Sequence, residues 1–94
     1  MKLTPNMFHI VEEFETIPTS VELRRIDPSL NMRRFYRMSL QPDLFGGVDV
    51  VREWGRIGWR GQFLIERHSC EDEAVSSMLA LETAKRRRGY RSAG

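Results

Sequence analysis

A chain of 94 residues, 40% of them hydrophobic, has room for one small core, which excludes a disordered protein, and no apolar run approaches the roughly 20 residues of a membrane span. One cysteine excludes an internal disulfide framework, and Cys70 with His9 and His68 falls short of a four-ligand zinc site built from Cys and His alone, so no metal or cofactor is expected. The net charge of +2 hides an asymmetry: residues 1–22 set Lys2 against Glu12, Glu13, Glu15 and Glu22, whereas the remainder is basic and arginine-rich.

The chain opens on Met1-Lys2-Leu3-Thr4-Pro5-Asn6, which lacks the apolar stretch of a signal peptide, and a reduced, cytoplasmic setting is expected. Residues 1–19 form an extension in which Thr4 is a candidate helix cap with Pro5 at the first position. Met7, Ile10, Val11 and Phe14 then keep the i, i+3, i+4, i+7 spacing of an amphipathic helix. That stripe either packs on the main domain or covers an interface.

From Ser20 the period changes from 3.6 to 2. Val21–Ile26 reads as a strand closed by the turn residues Asp27-Pro28-Ser29, and Arg33–Gln41 as the next strand. A loop over Pro42–Gly47 leads to a third strand from about Val48 to Ile57, where the adjacent Val50 and Val51 permit a bulge. Gly58-Trp59-Arg60-Gly61 suits a hairpin turn into a fourth strand, Gln62–Arg67.

The last element is a helix, with Ser69 as N-cap and Glu71, Asp72 and Glu73 in its first turn, where the helix dipole favours acids. Ala74, Val75, Met78, Leu79 and Glu82 trace one face, with Leu81 beside them. Lys85, Arg86, Arg87 and Arg88 fill the last turn and Gly89 supplies a left-handed stop. The expected fold is α+β: a small antiparallel sheet of about four strands with one C-terminal amphipathic helix on one face. Such a sheet leaves its other face to solvent or a partner.

Chemistry concentrates in Arg52-Glu53-Trp54-Gly55-Arg56. Alternation along a strand puts Arg52, Trp54 and Arg56 on one face, and a cation–aromatic–cation row suits a phosphate beside a sugar or base. The alternative is a Trp54 that fills the core between flanking arginines. Gly55 and Gly58 reduce bulk there and let a ligand or another backbone approach. Arg33-Phe35-Arg37 repeats the row on the preceding strand, and the register decides whether both rows share a face. Phosphate contacts are expected among Arg33, Arg37, Arg52, Arg56, Arg60 and the cluster from Lys85 through Arg87 to Tyr90 and Arg91. Asn31 and Gln62 are candidate polar contacts. Cys70 near His68 lacks the third group of an oriented nucleophilic site, no GxxxxGK[ST] or HExxH motif occurs, and no catalytic residue is expected.

Those residues together resemble the WGR domain family, whose triplet stands here as Trp54-Gly55-Arg56. The likeness covers residues 20–91, leaving 92–94 as a tail. Its carriers are Asn31, the strand Phe35-Tyr36-Arg37-Met38-Ser39-Leu40, the run Trp54–Gly58 followed by Gly61-Gln62, and the helix ending Lys85–Tyr90. It is nearest to short, free-standing bacterial members. In the DNA-dependent poly(ADP-ribose) polymerases the WGR domain binds nucleic acid at strand breaks. The resemblance therefore implies a non-catalytic module that binds DNA ends or breaks, with Trp54 against a terminal sugar and Arg56 either on phosphate or linking the bound end to neighbouring domains. The competing expectation is a protein-interaction module that docks the same Arg/Trp surface on an acidic partner. No membrane partner is expected.

Overall fold

The computed structural model describes residues 19–93, and the stripe from Met7 to Phe14 lies outside them. Strands β1 (Ser20–Asp27), β2 (Met32–Pro42), β3 (Val48–Arg56) and β4 (Gln62–His68) are followed by helix α1 (Glu71–Arg87) and a two-residue strand β5 (Arg91–Ser92). They form one antiparallel sheet in the order β4-β3-β2-β1-β5. The α+β expectation holds, with five strands rather than four. Two residues after Gly89 are too few to signal a strand in a sequence, yet they pair Arg91 and Ser92 with Arg24 and Leu23.

The register aligns Leu23, Tyr36, Trp54 and Gln62 across four strands. Directly opposed residues share a face, so this row and its alternates form the side on which the helix lies. The core there is Leu23, Tyr36, Met38, Val50, Ala74, Met78 and Tyr90, with Val21, Leu40, Val48, Trp54 and Leu81 packed against it. Pairing runs unbroken from Val48 to Trp54, so the adjacent valines make no bulge. Val50 enters the core and Val51 points to the open face.

The helix is turned slightly from its expected face. Its buried stripe is Ala74 and Met78 with Leu81, while Leu79 stays 44% exposed. Its extended cap residue is Cys70, which makes no side-chain capping bond. Ser69 instead spends its N–H and hydroxyl on the Glu73 carboxylate, at 3.3 and 3.1 Å. At the other end Gly89 turns left-handed at φ +98°, and Tyr90 N–H returns to the Lys85 carbonyl at 3.1 Å. This turn drives the Tyr90 ring back under the helix end, edge-on to Tyr36 with centroids 6.4 Å apart.

Among the described residues the open face has one well-buried side chain, Phe35, only 5% exposed. Its ring lies against Gly55 and Gly61. A Cβ on Gly61 would stand 2.8 Å from the ring and 2.4 Å from the Trp54 carbonyl oxygen, and one on Gly55 would stand 2.9 Å from Gly61 Cα. The two glycines therefore let the β3–β4 hairpin close tightly beside Phe35, and the close approach expected at Gly55 is by backbone rather than ligand. Gly61→Ala is expected to cost about 1–3 kcal/mol through overpacking, a fall in Tm of roughly 5–20 °C that thermal unfolding by circular dichroism would register.

Candidate functional site

The helix stops short of one end of the sheet. Ala74, Met78, Leu81 and Lys85 share a helical stripe, and by Lys85 the apolar positions have run out. Its ammonium sits 4.5 Å from the Tyr36 ring centroid and 5.5 Å from that of Tyr90. Burial, then the nearby positive charges of Arg88, Arg52 and Arg34, push the Lys85 pKa down. A cation held where its charge is disfavoured marks a region short of negative charge.

Beyond Lys85 the next row on the same face is Arg25, Arg34 and Arg56, directly opposed across β1, β2 and β3. Like charges so placed repel, and among the described residues none of the three is in a salt bridge. Arg56 donates to the Asn31 carbonyl at 3.2 Å and to its side-chain oxygen at 3.5 Å. Asn31 can receive it because it ends a short 3-10 turn in left-handed geometry, φ 51°. Asn31, Arg34, Trp54, Gly55, Arg56 and Tyr90 line a cleft of about 370 Å³.

Trp54 is the apolar floor of this cleft. It is half-buried, and its ring stacks on Tyr36 with centroids 6.1 Å apart and planes 21° from parallel. Trp54 packs against the core, as the second sequence alternative expects, and also lines the cleft. Arg52 is on the same face but is spent internally. Its Nε donates to the Tyr36 hydroxyl at 2.7 Å and its guanidinium lies 3.6 Å from Glu66.

The two arginine–aromatic rows do not share a face. Arg33, Phe35 and Arg37 lie on the open side. Arg37 covers the Phe35 ring at 4.8 Å and is paired with Glu53 at 3.3 Å and Glu22 at 4.0 Å, so its charge is largely met. Arg33 is exposed there, and Arg60 borders a second, open-face cleft with Trp59, Arg24 and Arg37. Gln62 is exposed at the start of β4, opposite Trp54, and Arg87 is exposed in the last helical turn; neither lines the Trp54 cleft. Arg25 and Arg34 were missing from the expected site, which did include Lys85 in its basic cluster. Arg34 is legible once β2 is read on its even positions, with Tyr36, and Arg25 once β1 is read on its odd positions, with Leu23.

A sequence model of the WGR domain matches residues 19–94. The chain belongs to the WGR domain family. Over 74 residues it is 46% identical to an uncharacterized protein, y4dW, of Sinorhizobium fredii (strain NBRC 101917 / NGR234), a match covering 79% of this chain and 36% of that protein. The chain thus spans about a third of the length of the curated relative it matches. No solved structure matches. The WGR domain is a module rather than a catalytic domain, and in this one His68 is engaged by Glu66 at 2.9 Å and lies 3.9 Å from Glu73. No helix among the described residues is long and apolar enough to cross a membrane.

Glu66 ties the helix to the sheet of this WGR domain. The Ser77 hydroxyl donates to it, His68 bonds it, and Arg52 approaches it, so its carboxyl is held below the ordinary 4.5 despite some burial. Its contribution to stability is complete above 4.5 and is lost as the pH falls through the lower folded value. Glu66→Gln is expected to lower Tm at neutral pH and to make the loss of Tm shallower below about pH 4.5. Thermal melts over a pH series would read both effects.

Proposed function

We propose that this WGR domain binds nucleic acid through the helix-side cleft, with the Arg25–Arg34–Arg56 row on phosphates and Trp54 against an exposed sugar or base at a DNA end or break. The observation that carries the reading is the row of three arginines, none of them in a salt bridge among the described residues, beside a half-buried indole. An anion placed there relieves a repulsion already built into the sheet. The behaviour of WGR domains in the DNA-dependent poly(ADP-ribose) polymerases supports the same ligand class. The helix presents the negative end of its dipole to this side, so the arginine side chains rather than backbone N–H groups carry the phosphate contacts.

The roles divide by chemistry. Phosphates occur all along a duplex, so arginines alone do not tell an end from an interior. A flat ring needs an exposed face to stack on, which a terminus offers and a closed helix hides. With Arg88 at the helix end completing about four phosphate contacts, the log–log dependence of affinity on salt is expected to slope at about −3 to −4 on duplex DNA. Trp54→Leu keeps an apolar contact for Tyr36 and should weaken binding to a linear duplex end roughly tenfold while sparing closed circular DNA. Arg34→Gln should weaken both substrates, flatten the slope by about one, and leave Tm unchanged or raised. A salt slope near zero, or ends bound equally well by Trp54→Leu, overturns the assignment.

A further inference from the structure

The two edges of the sheet are treated differently. On one side β5 pairs with β1 at Leu23 and Arg24 and is only two residues long, the short edge that resists further pairing. On the other side β4 runs for seven residues, and no described strand pairs with its outer edge. It carries neither proline nor lysine, and at its centre stand Phe63, Leu64 and Ile65, 66%, 48% and 45% exposed. Such a strand is a template for another strand. On the open face Val51, opposite Ile65, extends the apolar patch inward.

We infer that β4 pairs antiparallel with β4 of a second copy of this chain, about a two-fold axis through Leu64, joining two sheets into one of ten strands. A two-fold perpendicular to the sheet keeps each face on its own side and pairs residues of like parity. Centred on Leu64 it sets Leu64 against Leu64 on the helix side and Phe63 against Ile65 twice on the open side, an aromatic–β-branched pair of the kind that stabilises sheets. The same register brings the Gln62 amide opposite the Glu66 carboxylate of the other copy. Moving the axis to Ile65 sets Phe63 against Arg67 and Leu64 against Glu66. The Leu64 register is the one that matches apolar with apolar and acceptor with donor.

The area sets the strength. Three apolar side chains and a seven-residue backbone from each copy lie at the low end of specific interfaces, near or below about 1,200 Å². The dimer therefore dissociates on dilution. It leaves both helix-side clefts open, on one face of the joined sheet and toward opposite ends, so the pairing stands whether or not those clefts bind nucleic acid.

Light scattering on the full chain across a concentration series tests this. At roughly 100 μM a dimer mass is expected, falling to monomer on dilution. Ile65→Lys puts a charge on the edge and should give a monomer at every concentration with its melting curve intact. In a Cys70→Ser background, which removes the one exposed native thiol, Leu64→Cys should oxidise to a covalent dimer, whereas Phe45→Cys, at a 92%-exposed position of the β2–β3 loop, should not. The crosslink decides the matter should Ile65→Lys fail to fold. A monomer mass throughout, as would follow if another chain occupies this edge, overturns the inference. So does a dimer that Ile65→Lys leaves intact, or a dimer in which Leu64→Cys forms no crosslink.

Discussion

The cross-strand alignment of Leu23, Tyr36, Trp54 and Gln62 is the constraint on which the rest of this WGR domain depends. Side chains alternate, so fixing that row fixes the face of every other residue in four strands. It sends Leu23, Tyr36, Met38 and Val50 to the helix and leaves Phe35 as the anchor of the open face. It also brings Arg25, Arg34 and Arg56 side by side. A slip of one residue would bury Arg37 and expose Met38, a far larger penalty than the repulsion among three half-hydrated guanidinium groups. The core therefore imposes the arginine row, and the sheet tolerates it because the helix ends before reaching it.

The same geometry separates arginines that serve the fold from those left for a ligand. Arg37 and Arg52 are answered by Glu53, Glu22 and Glu66 and lie over aromatic rings. Arg56 is steered by neutral oxygens of Asn31, which orient the guanidinium without cancelling its charge. Lys85 is held over two tyrosines with a depressed pKa. A nearby anion would raise that pKa again, which links protonation of Lys85 to occupancy of the cleft.

Much of this was legible in the sequence, and for identifiable reasons. Four strands follow from alternation and from turn residues whose chemistry is local, and the helix from its stripe, acidic start and Gly89. What depends on long-range pairing was not. Arg33-Phe35-Arg37 and Arg52-Trp54-Arg56 look alike as written, and only the register sends them to opposite faces. Ser69 has the chemistry of a cap, but Glu73 competes for it and the extended residue falls on Cys70. Strand β5 has no pattern of its own; it exists because Tyr90 is buried and delivers Arg91 beside β1. Lys85 reads as one base of a phosphate-binding run, and only the helix stripe placed on the sheet sets it over Tyr36 and Tyr90.

The central claim is that ligand phosphate meets the helix-side row and not the open face. A titration with a short linear duplex followed by NMR separates the two, because each face has its own tryptophan indole and arginine Nε–H signals. The account predicts that the signals of Trp54, Arg34 and Arg56 shift together and saturate, while those of Trp59, Arg33 and Arg37 stay in place. Saturating shifts confined to Trp59, Arg33 and Arg37 would contradict it and move the interface to the other side of the sheet.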